Sequence, residues 1–204
     1  MMTRRDKPDY FSRKARQEHF ASRAVYKLAD LDRKFRLFHP GQRVLDLGCA
    51  PGSWLQYLSS RVGPQGLVVG LDRQALKLDL GPPVHFRQAD IATLDPKELQ
   101  SLAPTFDVVV SDLAPATSGI KDVDHQRSLT LARLSWEFAR VLLAAGGHYL
   151  VKVFAGPDFP EFVAAIKPHF QQVQIVKPTG SRKESREIYL LGKKRLRMPP
   201  DNLI

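Results

Sequence analysis

Val44-Leu45-Asp46-Leu47-Gly48-Cys49-Ala50-Pro51-Gly52-Ser53-Trp54 is the stretch that decides the fold. Val44–Leu47 has the composition of a buried strand, and the helical pattern of Trp54–Val62 begins directly after the glycine turn. Gly48 and Gly52 lack a Cβ, so a ligand can approach the backbone where the strand ends. The dinucleotide signature G-x-G-x-x-G is not met, because these two glycines stand four positions apart with Pro51 between them.

The same alternation continues outward. Leu67–Leu71, Val84–Arg87, Val108–Ser111, Tyr149–Phe154, Val173–Val176 and Ile188–Leu191 read as further strands. Lys97–Leu102, His125–Ala144 and Phe159–His169 read as helices between them, and Arg23–Phe38 as an amphipathic helix ahead of the first strand. Strands alternating with helices predict an α/β fold, a doubly wound sheet with helices on both faces. At 204 residues the chain suits one domain. Residues 1–42 form a basic helical extension, with Met1–Asp9 and 195–204 expected to be loose ends.

Composition narrows the function. The formal net charge is +10, from 31 Lys+Arg against 21 Asp+Glu. The excess sits near the ends: residues 1–43 hold 12 basic and 5 acidic side chains, and 177–197 hold 8 and 2, whereas 44–176 hold 11 and 13. Basic flanks on a near-neutral body suit a polyanionic partner, although solvated faces that only aid solubility would look similar. One cysteine, Cys49, excludes an intrachain disulfide and fits a reducing compartment. The longest run free of Asp, Glu, Lys and Arg, Leu47–Ser60, contains Pro51 and Gly52, so no membrane span is expected. With a polar start lacking an apolar run, this points to a soluble cytoplasmic protein.

Acidic residues stand at the ends of successive strands. Asp72 follows the second strand, where a carboxylate can accept both hydroxyls of a ribose; Asp90 follows the third and Asp112 the fourth. Any one of them could be a turn former or a helix cap; three together converge on the crevice outside the strand ends. Lys152 lies inside the apolar strand Val151-Lys152-Val153-Phe154, and a strand covered on both faces leaves a lysine in need of a partner or a function.

The D-x-G-x-x-x-G turn resembles motif I of Rossmann-like S-adenosylmethionine methyltransferases, whose sheet order is 3-2-1-4-5-7-6 with an antiparallel seventh strand. That order sets Asp112 beside Lys152 and brings Glu187, at the start of the last strand, to the same crevice. Five blocks carry a closer resemblance: Ser22-Arg23-Ala24-Val25-Tyr26-Lys27-Leu28, Ala50-Pro51-Gly52-x-Trp54, Ser111-Asp112-Leu113-Ala114-Pro115, Val151-Lys152-Val153-Phe154 and Ser185-Arg186-Glu187-Ile188-Tyr189. In order, from about residue 10 to 194, they resemble the FtsJ/RlmE-type ribosomal RNA large-subunit methyltransferases. Cys49 and Ser53 stand where that family often has Ala and Gly.

The resemblance implies a catalytic tetrad of Lys27, Asp112, Lys152 and Glu187, and cofactor contacts from Gly52, Trp54, Asp72, Asp90 and Asp112. The implied reaction carries the methyl of S-adenosylmethionine to the 2′-hydroxyl of a uridine in the A-loop of 23S rRNA, in the large ribosomal subunit. Lys152 is the candidate proton acceptor. Burial and the charge of Lys27 favour its neutral form while Asp112 opposes it, so a steering role for a charged Lys152 stays open. Arg13, Lys14, Arg16, Arg23, Lys34, Arg182, Lys183 and Arg186 are the candidate phosphate contacts. Tyr26 or Phe20 could stack on a base, though core packing is the simpler role. No metal is expected, since the six histidines and one cysteine show no ligand spacing. No obligate protein partner is implied, and a monomer is expected. The rival readings are a catechol-type small-molecule methyltransferase, which leaves the basic flanks unexplained, and a non-catalytic RNA-binding protein, which leaves the tetrad unexplained.

Overall fold

In the computed structural model, which describes residues 10–179 and 185–197, two helices precede the sheet: α1 (Tyr10–Gln17) and α2 (Val25–Phe35). The alternation then runs β1 (Arg43–Leu47), α3 (Ser53–Val62), β2 (Leu67–Asp72), β3 (Val84–Gln88), β4 (Phe106–Ser111), α4 (Lys121–Leu142), β5 (Leu143–Phe154), α5 (Phe159–Ile166), β6 (Phe170–Val176) and β7 (Glu187–Arg195). The seven strands form one sheet in the order β3-β2-β1-β4-β5-β7-β6. β7 runs antiparallel to both its neighbours, and the pairings among β1 to β5 are parallel. This is the expected architecture.

The central strands β1, β2, β4 and β5 bury both faces over most of their length, which explains their continuous apolar sequences, whereas the edge strands β3 and β6 are partly exposed. Leu45, Leu47, Val69, Val109, Val151 and Val153 pack with α4 and α5 on one side. Val44, Val68, Val108, Val110, Leu150 and Tyr189 pack with α2 and α3 on the other.

Several boundaries differ from the sequence reading. α2 stops at Phe35 rather than Phe38 because buried Asp32 accepts hydrogen bonds from the amides of Leu37 (2.9 Å) and Phe38 (3.1 Å), drawing the chain off the helix axis. α4 stops at Leu142, and 143–144 open β5 beside β4. The helix expected over Lys97–Leu102 is a 3-10 helix over Pro96–Ser101, started by the Asp95 carboxylate, which accepts from the Lys97 amide (2.9 Å). The final loose end does not begin at 195: Arg195 closes β7, and its guanidinium donates to the carbonyls of Ala139, Arg140 and Leu143. The loose ends expected over 1–9 and 198–204 lie outside the described residues.

Candidate active site

Parallel pairing brings the ends of β1, β2 and β4 to one edge, where a cavity of about 530 Å³ opens. Leu47, Gly48, Leu71, Asp72, Asp90, Asp112 and Leu113 are among its lining residues. Gly48 has φ +84° and donates its amide to the Leu71 carbonyl (2.8 Å). A Cβ there would stand 3.0 Å from the Leu113 backbone nitrogen, so close strand-end packing requires glycine.

Asp72 and Asp90 each shape a turn and still face this cavity. Asp72 accepts from the amides of Ala50 (2.9 Å) and Gln74 (2.8 Å), and Asp90 from the amide of Ala92 (2.9 Å). A carboxylate has about four acceptor sites, which leaves room for ligand hydroxyls. Nearby, Asp46 is fully buried, and among the described residues neither of its oxygens has a hydrogen-bond partner. Burial first, and then the neighbouring carboxylates of Asp112 and Asp72, push its pKa well above the usual carboxyl range.

A second cavity, of about 610 Å³, opens toward α2 and the start of β7. It is lined by Arg23, Lys27, Lys121, Asp124, Phe154, Ser185, Arg186 and Glu187. Lys152, only 4% exposed, and Asp112, in the wall of the first cavity, form an ion pair of 3.0 Å through Asp112 Oδ1. Lys152 also donates to the Asp112 main-chain carbonyl (2.7 Å). Register supplies this meeting, since Ser111 lies opposite Val151 and Lys152 opposite Tyr189.

Lys27 donates to Glu187 Oε2 at 2.6 Å, closing the second pair. Burial by itself pushes the Glu187 carboxyl toward its neutral form, but the hydrogen bond and charge of Lys27, with help from Lys152 and Ser185, outweigh it and hold the pKa below its ordinary value. All four tetrad side chains are therefore brought together as two ion pairs.

The other candidate residues divide. Gly52 and Trp54 do not line the first cavity. The Trp54 indole is buried, stacks on Tyr189 with ring centroids 6.3 Å apart and donates to the Ala24 carbonyl (3.0 Å). Ser53 Oγ meets Ser22 Oγ at 2.8 Å. These two contacts tie the start of α2, and hence Lys27, to the glycine turn.

Arg13 and Arg16 are exposed on α1; Lys14 pairs with Glu18 (3.7 Å) and lies over the Tyr26 ring (4.9 Å). Tyr26 packs between Phe11 and Phe20 and donates to Glu18 (2.7 Å), so it knits α1 to α2. Arg23 lines the second cavity. Arg186 does too, and its guanidinium donates to the carbonyls of Lys121 (2.9 Å) and Ala155 (2.6 Å), which fixes it in the cavity wall. Lys34 lies two turns beyond Lys27 along α2, about 10 Å, and shares the Phe35 ring with Lys193 from the far half of β7. It is therefore remote from the crevice. Arg182 and Lys183 lie outside the described residues.

The sequence reading missed Tyr189 as a polar participant. It is fully buried and donates to Asp112 Oδ1 at 2.7 Å, the oxygen that also meets Lys152. The signal was available: a tyrosine opposite Lys152 on an adjacent buried strand must aim its hydroxyl at a partner. Lys121 and Asp124 were also missed, since nothing in the sequence marks the start of α4 as a cavity wall.

Comparison with known proteins agrees with this geometry. Residues 20–195 match the family described as FtsJ-like methyltransferase. Ribosomal RNA large subunit methyltransferase E of Syntrophobacter fumaroxidans is 44% identical over 187 residues, covering 90% of this chain and 94% of that protein. Its namesake from Bdellovibrio bacteriovorus is 43% identical, with 90% and 95% covered. The crystal structure of a Plasmodium falciparum ribosomal RNA methyltransferase superposes with a TM-score of 0.77 at 31% identity, covering 87% of this chain and 99% of that one. A match spanning both ion pairs and nearly the whole sheet bears out the resemblance read from the sequence blocks, and the chain belongs to the FtsJ-like methyltransferase family.

Proposed function

We propose that this enzyme transfers a methyl group from S-adenosylmethionine to the 2′-hydroxyl of a uridine in the A-loop of 23S rRNA, in the large ribosomal subunit. The observation that carries this reading is the pair of ion pairs, Lys152–Asp112 and Lys27–Glu187, joining a carboxylate-rich cavity to a cation-lined one. The relatives named above act on the same class of RNA.

The first cavity suits the cofactor. Asp72 and Asp90 offer acceptors to hydroxyl and amino groups, and the crowding of Asp46, Asp72 and Asp112 favours a ligand carrying positive charge. Gly52 and Trp54 would serve it indirectly, by shaping the glycine turn beside the cavity, since neither lines it and the indole is used elsewhere. When bound, S-adenosylmethionine supplies an electrophilic methyl on a positive sulfur.

This chain's own residues do the rest. Lys27, fixed by Glu187, and Lys152, fixed by Asp112, align the ribose hydroxyl; such positioning is worth up to about 7–11 kcal/mol in favourable cases. With Lys152 first relieved of one proton to the solvent, so that its amine carries a lone pair, the ribose hydroxyl would pass its proton to Lys152 Nζ as its oxygen takes up the methyl. Asp112 Oδ1 then stabilises the ammonium, while Tyr189, donating to the same oxygen, moderates that attraction beforehand. The described residues that line both cavities come from one chain, which supports a monomer, and a ribosomal RNA substrate supports a cytoplasmic site of action.

The test is titration with S-adenosylmethionine, then transfer of a tritiated methyl to large subunits lacking the modification, with the labelled nucleotide mapped. Label on the ribose of the A-loop uridine supports the proposal. Label on a base, or none, contradicts it.

A further inference from the structure

Ile120, 62% exposed, is the extended residue that leads into α4, and Val123, 36% exposed, lies in the helix's first turn. They stand between the cavities: Ala116, just before them, lines the first, while Lys121 and Asp124 line the second. Exposed aliphatic side chains are ordinary singly, but these are held on a rigid mount. Buried Asp124 accepts from the Ser118 amide (2.6 Å), the Ser118 hydroxyl (2.9 Å) and the Gly119 amide (3.2 Å). Ser118 Oγ in turn accepts from the Ile120 amide (3.2 Å), and Arg186 donates to the Lys121 carbonyl (2.9 Å). A buried carboxylate and a guanidinium thus fix an apolar tip beside a cavity lined by Arg23, Lys27 and Lys121.

From this placement we propose that Ile120 and Val123 form a wedge that occupies the RNA stack vacated when the target nucleotide swings into the second cavity. The inference rests on the RNA ribose reading above. Cations around the tip select a polyanion, and an aliphatic tip offers that polyanion only the faces of its bases. A nucleotide whose ribose must reach Lys152, a residue 4% exposed, has to leave its stack.

Steady-state and single-turnover methyl transfer to unmodified large subunits would be measured for the wild type and for Ile120→Ala/Val123→Ala and Ile120→Leu, with cofactor affinity and thermal midpoint as controls. The wedge predicts that the double alanine variant loses about ten- to a hundredfold in kcat, with KM, cofactor affinity and thermal midpoint unchanged, and that Ile120→Leu retains activity. An unchanged kcat overturns the wedge, and so does a raised KM at unchanged kcat, which would make the tip a simple docking contact. A wild type that fails to label the RNA ribose would overturn the underlying reading of function instead.

Discussion

Lys152 meets Asp112 twice, through the carboxylate at 3.0 Å and through the main-chain carbonyl at 2.7 Å. The second contact survives loss of the ammonium charge, because a neutral amine still donates. Lys152 Nζ is therefore held in place by more than its charge, the fixed position that a proton acceptor needs. Strand register enforces the arrangement: β5 lies between β4, which ends in Ser111, and β7, which carries Tyr189.

Tyr189→Phe separates packing from polarity. The ring stacked on Trp54 is kept, while the hydrogen bond to Asp112 Oδ1 is removed. Hydrogen bonds to charged groups contribute about 1.5–3 kcal/mol, so single-turnover transfer is expected to slow by roughly ten- to a hundredfold with cofactor affinity little changed. An unaltered rate would mean that Tyr189 only fills space.

Asp72→Asn is expected to weaken S-adenosylmethionine binding by about ten- to a hundredfold, since a charge-assisted acceptor for the ribose hydroxyls is replaced by a neutral amide. Asparagine retains an oxygen for the Ala50 or Gln74 amide, so the turn suffers less than with alanine. Calorimetric titration measures the affinity, and equal affinities would confine Asp72 to the turn.

The Lys27–Glu187 pair gives acid sensitivity of definite sign. The pKa of Glu187 lies below its ordinary value in the folded protein. Its contribution to stability is therefore present above the unfolded value, about 4.3, and is lost as pH falls through the depressed folded value. Denaturant titrations between about pH 6 and pH 3 should show Lys27→Met losing less stability on acidification than the wild type. Parallel losses would contradict the pairing.

Much of this site was legible in the sequence because strand ends in a parallel sheet share one edge. Asp72, Asp90 and Asp112 follow that rule, and β7 running backwards brings Glu187 to it. What escaped depends on side-chain aim. The Trp54 indole turns to the Ala24 carbonyl and the Arg186 guanidinium bridges two carbonyls, orientations that the sequence does not fix. Lys34 lies two turns from Lys27, beside Phe35 and Lys193, a placement that no local pattern reveals.

Arg13 and Arg16 are exposed on α1, and replacing both by Ala should reduce the salt slope of RNA binding by about 0.7–0.9 for each phosphate that is no longer neutralised. Lys34→Ala should leave the slope near the wild-type value. The reverse result would move the RNA path to the opposite end of the sheet.

Single-turnover methyl transfer by Lys152→Arg, on saturating unmodified large subunits with cofactor occupancy verified, addresses proton acceptance directly. Arginine keeps the positive charge but cannot take a proton near neutrality, so a fall of about 10²–10⁴-fold, close to that of Lys152→Ala, is predicted. Nearly full activity in the arginine variant would contradict the account and leave Lys152 as an electrostatic guide for the ribose hydroxyl.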